Sequence, residues 1–220
     1  MSMLKMFRRA ALVVAMAACC VQASAADRLV AASPDGPAGR QLVERLRAGG
    51  LVLFFRHADT RGEPCDRSYR VGVRPGQRNL SPAGRRQAAQ IGPALEGLRI
   101  PVETVHAGPV FRARDTAELA FGAGNVTVTD SLLADDYAGS RLEWVLSEHR
   151  RLMASPVRPG VNRVLVGHRT PAIMVLGDAV GGRAFPEGAA VVIEPGGAGP
   201  RPIGILAPVP TIGDGFHDCR

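Results

Sequence analysis

Two apolar runs of this chain end in a histidine. Leu51-Val52-Leu53-Phe54-Phe55 leads into Arg56-His57, and Val164-Leu165-Val166 leads into Gly167-His168. Short runs of this kind, rich in Val and Phe, are the pattern of strands buried on both faces of a parallel sheet. In an open α/β sheet, ligands bind beyond the carboxyl ends of such strands. A third run, Val102 to His106, precedes a helix with Arg112 in its first turns, and Val126 to Val128 precedes a segment with Asp135 and Asp136. An arginine near a helix N-terminus opposes the macrodipole unless an anion sits there. The chemistry that suits these types together is phosphoryl transfer. Guanidinium forks match phosphoryl oxygens bidentately, and a neutral imidazole can attack phosphorus and carry the group covalently. A carboxylic acid can protonate the leaving alcohol and, as carboxylate, activate water. No Cys-x-x-Cys spacing and no cluster of carboxylates with histidines is present, so neither a metal nor another cofactor is expected.

The elements that must position these residues alternate. Gly39 to Ala48 has the apolar spacing of a short helix ended by Gly49-Gly50, and the strand Leu51–Phe55 follows. Residues 61–79, with five arginines, form a long loop of the kind that carries function. Ser81-Pro82 starts a helix with an N-cap and a proline at the first turn, running to Gly97. Val110 to Phe121 and Ser140 to Met153 read as helices, the latter with Leu142, Val145, Leu146 and Leu152 inward and Trp144 in the core. Thr170-Pro171 opens another helix, and Ala190–Ile193 with Ile203–Leu206 reads as an antiparallel pair. The alternation predicts an α/β fold, a three-layer α/β/α sandwich with a mostly parallel central sheet.

The 220 residues suffice for one domain with a substantial core. The formal charge is +7, and of the 27 basic residues only Lys5 is a lysine. With no dense basic run or basic–aromatic pattern, nucleic acid is not expected as a partner. Lys5, Arg8 and Arg9, the apolar stretch Ala10–Ala18 and Ala23-Ser24-Ala25 have the anatomy of a cleaved export signal over residues 1–25. Periplasmic or secreted location is therefore expected, with no stable membrane span. The alternative is a lipoprotein anchored at Cys19, after the lipobox-like Met16-Ala17-Ala18. Residues 26–39 read as a linker, 40–210 as the domain and 211–220 as a C-terminal tail. Cys65 and Cys219 remain after cleavage, in a compartment that permits a disulfide between them.

Four stretches carry a family resemblance. Arg56-His57-Ala58-Asp59-Thr60 resembles the RHG-x-T signature of the histidine phosphatase, or phosphoglycerate mutase-like, superfamily, in its RHA form. Leu80-Ser81-Pro82-Ala83-Gly84-Arg85-Arg86-Gln87-Ala88, Pro109-Val110-Phe111-Arg112-Ala113-Arg114-Asp115-Thr116-Ala117 and Val164-Leu165-Val166-Gly167-His168 are similar to its later motifs, in the same order. The resemblance implies His57 as the phosphoryl-accepting nucleophile, with Arg56, Arg112, His168 and Thr60 around the phosphate. It places Asp135 on the family's acid–base glutamate, with Asp136 as the alternative because aspartate is one methylene shorter. Glu63 stands where glycolytic mutases carry an asparagine, which argues against mutase activity. Cys65-Asp66-Arg67-Ser68 resembles a stretch of periplasmic phosphatases acting on lipopolysaccharide-core heptose phosphate. The implied activity is an exported, metal-independent phosphomonoesterase acting on a small phosphorylated substrate, a sugar or cell-envelope component. The rival reading is a catalytically weak phosphate- or phosphosugar-binding protein. A phosphoprotein phosphatase acting on phosphohistidine is disfavoured, because its usual partners are cytoplasmic.

Overall fold

The computed structural model describes residues 28–217. Its centre is a seven-stranded sheet in the order β1-β7-β6-β2-β5-β3-β4. The strands are β1 (Ala31–Ala32), β2 (Val52–Arg56), β3 (Val102–Ala107), β4 (Val126–Val128), β5 (Asn162–Gly167), β6 (Ala190–Glu194) and β7 (Arg201–Leu206). Neighbours pair in parallel except at β6, which is antiparallel to both β2 and β7. The helices are α1 (Pro37–Ala48), α2 (Pro82–Gly97), α3 (Phe111–Phe121), α4 (Asp135–Ala138), α5 (Leu142–Ala154) and α6 (Arg169–Leu176).

Side chains of β2 alternate between two cores, as the period of a strand requires. Leu53 and Phe55 join Leu42, Leu46, Ile91, Leu95 and Ala117 of α1, α2 and α3 on one face. Val52 and Phe54 join Leu152, Met153 and Ala172 of α5 and α6 on the other. Two helix layers thus enclose the sheet, and the expected α/β/α sandwich is the fold. β2 lies between β5 and β6, where the chain's order across the sheet reverses, and crevices open at such points.

Several expected boundaries move. Ala31 and Ala32 pair with Ile205 and Leu206, and α1 begins at Pro37, so the stretch read as a linker already belongs to the domain. The segment with Asp135 and Asp136 before α5 holds the single turn α4. Trp144 is 44% exposed, with Arg141 over its ring, rather than in the core. The buried stripe of α5 is Val145, His149, Leu152 and Met153. His149 can take an inward place because its Nδ1 bonds the Val145 carbonyl at 2.8 Å, so the helix presents Trp144 outward. Residues 211–216 are folded back over the sheet end by Asp214, which receives Arg61 and Arg183. The expected signal segment, Cys19 and Cys219 lie outside the described residues. Cys65 is disulfide-bonded. Among the described residues, no helix is long and apolar enough to cross a membrane, and no group of His, Cys, Asp and Glu could hold a metal ion.

Candidate active site

β2 and β5 deliver the two histidines together. Arg56 pairs in register with Gly167, and the His57 amide donates to the Gly167 carbonyl at 3.1 Å. The imidazoles of His57 and His168 are then 5.5 Å apart between ring centroids, inclined by 56°. His57 Nδ1 lies 2.9 Å from the Ala58 carbonyl oxygen. A carbonyl only accepts, so this contact places the proton on Nδ1 and leaves Nε2 as the lone-pair nitrogen. Ala58 is itself fixed, because its amide donates to Thr116 Oγ1, which donates to the Arg112 carbonyl.

The helix motif after Ser81 holds the segment that follows His57. Ser81 caps α2 by accepting from the Gly84 amide and donates its hydroxyl to Asp59 at 2.6 Å. Gln87 accepts from the Asp59 amide and donates to the Pro210 carbonyl. At Gly84 a Cβ would stand 1.9 Å from the Asp59 carbonyl oxygen. Only a residue without a side chain lets the helix lie this close to the backbone beside the histidine.

Two of the expected clamp arginines flank the histidines, both almost wholly buried. Arg56 donates through Nη1 to the carbonyls of Phe185 and Gly215, and through Nη2 to Glu187. Arg112 donates through Nη1 to both oxygens of Asp66, at 3.2 and 3.0 Å, and to the Arg78 carbonyl. The Nε atoms of Arg56 and Arg112, like His168 Nε2, are buried with no hydrogen-bond partner within the protein. Buried polar atoms are normally satisfied, so these orphans gathered around the two histidines mark a place for a bound group.

The field at this place is positive. Burial, and then the guanidinium groups of Arg112 and Arg56, hold His57 well below its ordinary range; His168 is held down in the same way. Burial brings Arg56 to about 10, with Glu187 acting the other way and Arg169, Arg78 and Arg112 adding to the fall. Both imidazoles are consequently neutral at physiological pH, which is the form a nucleophile needs.

The expected residues divide as follows. His57, His168, Arg56 and Arg112 converge. Thr60 is fully buried beside them, but its hydroxyl donates to Glu187 Oε1 at 3.0 Å, so that hydrogen is directed to a carboxylate. Asp135 is half-buried at the start of α4 and Asp136 is exposed. Burial, and secondarily Asp136, raise Asp135, while Arg112 acts against the rise. Sequence reasoning misses Glu187, Asp66, Tyr137 and the particular role of Arg78 among the loop arginines. Glu187 arrives because β6 runs antiparallel, which puts its leading end at the carboxyl ends of its neighbours; Pro186-Glu187-Gly188 before an apolar run is its sequence signal. Arg78 acts on both histidines and directly precedes the Leu80-Ser81 motif. A cavity of 840 Å³ bounded by Val30, Leu98, Val209 and Phe216 touches neither histidine. Convergent charge, not volume, marks the site.

Comparison with known proteins agrees with this geometry at the family level. Residues 52–140 match the model described as histidine phosphatase superfamily (branch 1). No curated protein matches the chain in sequence. Among solved structures, the protein histidine phosphatase SixA complexed with tungstate is 16% identical, with a TM-score of 0.46 over 72% of this chain and 97% of that one. The putative phosphohistidine phosphatase SixA from Agrobacterium tumefaciens is 19% identical, with a TM-score of 0.46 over 72% and 98%. The mycobacterial glucosyl-3-phosphoglycerate phosphatase is 21% identical, with a TM-score of 0.44 over 66% and 89%. The segment matched over residues 52–140 runs from the β2 strand and its histidine through Arg112 to Asp135 and Asp136, and this match supports a phosphatase of the histidine phosphatase type.

Proposed function

We propose that this protein is an exported, metal-independent phosphomonoesterase that hydrolyses a small phosphate ester, on a sugar or a cell-envelope component, through a phosphohistidine at His57. The observation that carries the reading is the neutral His57 ring, its proton fixed on Nδ1 by the Ala58 carbonyl, among buried guanidinium groups with unpartnered Nε atoms. Nε2 gives its electron pair to phosphorus, and the bond from phosphorus to the ester oxygen breaks. Arg56, Arg112 and Arg78 balance the charge on the transferring oxygens. Asp135, raised by burial, gives its proton to the leaving oxygen. Water then attacks the phosphohistidine and Asp135 takes its proton. The phosphorus–nitrogen bond breaks, its electron pair returns to Nε2, and phosphate leaves. Export rests on the composition of residues 1–25.

Hydrolysis of p-nitrophenyl phosphate in excess EDTA, by wild type and His57→Ala, tests the reading. Wild type is expected to turn over with undiminished rate in EDTA, and the variant to lose at least about 1000-fold in kcat, as removal of a nucleophile does. Turnover that persists in His57→Ala overturns the mechanism. One observation favours the second reading, a phosphate-binding protein: Arg56 and Arg112 already each face an internal carboxylate, Glu187 and Asp66. Tight phosphate binding without turnover by wild type would establish it.

A further inference from the structure

The Cys65-Asp66-Arg67-Ser68 stretch has no role in the chemistry so far, yet Asp66 joins three parts of the site. We infer that Asp66 is a positioning residue that couples the phosphate clamp to the leaving-group acid, an inference that rests on the proposed function. Its side chain is 9% exposed and takes four hydrogen bonds. Arg112 Nη1 reaches both oxygens, the Tyr137 hydroxyl donates to Oδ1 at 2.6 Å, and the Arg78 amide donates to Oδ1 at 2.8 Å. The bond to Arg112 uses only Nη1. The edge made by Nε and Nη2 is the planar fork suited to a phosphoryl group, and Nε is buried with no hydrogen-bond partner. Asp66 thus holds the back of the guanidinium and aims its fork.

The second arm reaches the acid. Tyr137 lies on the single turn α4, two residues after Asp135, and a helix of four residues cannot hold its own orientation. The Tyr137 hydroxyl, tied to Asp66 and 3.3 Å from the Ser68 carbonyl, fixes that turn against the 61–79 loop. Arg112 also stands over the Tyr137 ring, 5.9 Å from its centroid. One carboxylate therefore sets the clamp and, through Tyr137, the place of Asp135. Its own anchoring is also double, since the Arg67 and Ser68 amides both donate to the Gly76 carbonyl and close the loop at its waist.

The two arms separate experimentally. Wild type, Asp66→Asn, Tyr137→Phe and Asp135→Asn are compared on p-nitrophenyl phosphate, whose leaving group needs no proton, and on 2-phenylethyl phosphate, whose leaving group does. Vanadate binding is measured by calorimetry. In kcat/KM, which reports the phosphorylation step, Asp135→Asn sets the scale for losing the acid, about 100-fold or more on the alkyl ester alone; loss of the base for water falls on kcat of both esters. Tyr137→Phe is expected to lower the alkyl-to-aryl ratio of kcat/KM about 10-fold and leave vanadate affinity within 2-fold. Asp66→Asn is expected to lower the same ratio and also to weaken vanadate at least 10-fold. A merely structural role would depress both esters alike, in step with the melting temperature. An unchanged ratio in Tyr137→Phe overturns the inference, even if Asp66→Asn fails to fold. Tighter vanadate binding in Asp66→Asn also overturns it, because the carboxylate would then be a competitor for Arg112. Wild type inactive on both esters refutes the proposed function; the vanadate arm alone then decides whether Asp66 aims Arg112, and unchanged affinity in Asp66→Asn overturns the inference.

Discussion

A histidine buried without a counter-ion makes a fold sensitive to acid, and this chain buries three. His149 is fully enclosed, and burial lowers it to about 4, with the hydrogen bond to the Val145 carbonyl acting the other way. His57 and His168 are held down in the same direction. For a group whose pKa is lower folded than unfolded, the unfolded chain binds more protons as pH falls below about 6.5, so stability drops with acid. Taking 6.5 unfolded and about 4 folded, His149 alone costs about 2 kcal/mol between pH 7 and pH 5. Urea denaturation in phosphate-free buffer should show this fall. His149→Gln, which keeps a donor near the Val145 carbonyl, should lose about 2 kcal/mol less over the same interval. An equal loss in the variant would mean that the ring is protonated in the folded protein. His57 shares the thermodynamics but has a use for them, since the burial that makes acid costly keeps its Nε2 unprotonated. At this scale the sequence reads well where chemistry and strand end coincide, as at Arg56, His57 and His168. It reads poorly at Asp66 and Glu187, whose partners stand 46 and 131 positions away in the chain.

Helix α2 explains why a motif can be recognised without its reason being legible. Leu80 to Ala88 reads as a capped amphipathic helix, and that much follows from Ser81, Pro82 and the apolar spacing. What the pattern does not reveal is that Gly84 and Gln87 face the backbone of Asp59 rather than solvent or core. Gly84→Ala and Gly97→Ala separate the two meanings of a helical glycine. Alanine normally stabilises a helix interior by up to about 1 kcal/mol, and Gly97 has nothing within 4 Å of a new Cβ, so that variant should gain stability. At Gly84 the added carbon meets a backbone oxygen that cannot rotate away, so the variant should lose about 1–3 kcal/mol. Because the displaced backbone is that of Asp59, kcat on p-nitrophenyl phosphate should fall as well. Equal stability of the two variants in urea titrations would show that α2 does not press on the strand end. The boundaries of α1, α4 and α5 were less legible for a related reason: pairing of Ala31–Ala32 with β7, and the inward turn of His149, are decided by tertiary contacts that local propensity does not encode.

On the scale of the whole molecule, both ends of the described chain close on the sheet. β1 adds a parallel strand beyond β7, and residues 211–216 cross the carboxyl ends of the strands. The sequence reads the latter stretch as a tail because Pro208, Pro210 and the glycines after it show no periodicity, and packing without periodicity leaves no pattern to read. In the folded molecule the Gly215 carbonyl accepts from the Glu187 amide and from Arg56 Nη1. The ring of Phe216 lies under three guanidinium groups, those of Arg183, Arg56 and Arg169, at 4.5, 5.1 and 5.6 Å from its centroid. An aromatic face softens the mutual repulsion of cations gathered for an anionic substrate, by about 0.5–1 kcal/mol for an exposed pair and more for a desolvated one. Phe216→Ala should therefore cost about 2 kcal/mol, which for a domain of this size lowers the melting temperature by about 4–8 °C. Phe216→Leu, which keeps apolar bulk without the π face, should recover part of that loss. KM for p-nitrophenyl phosphate should rise several-fold in the alanine variant as Arg56 loses its cover. A melting temperature unmoved by Phe216→Ala would return the segment to the status of a tail, and the wall of the site would then have to be built by the 61–79 loop alone.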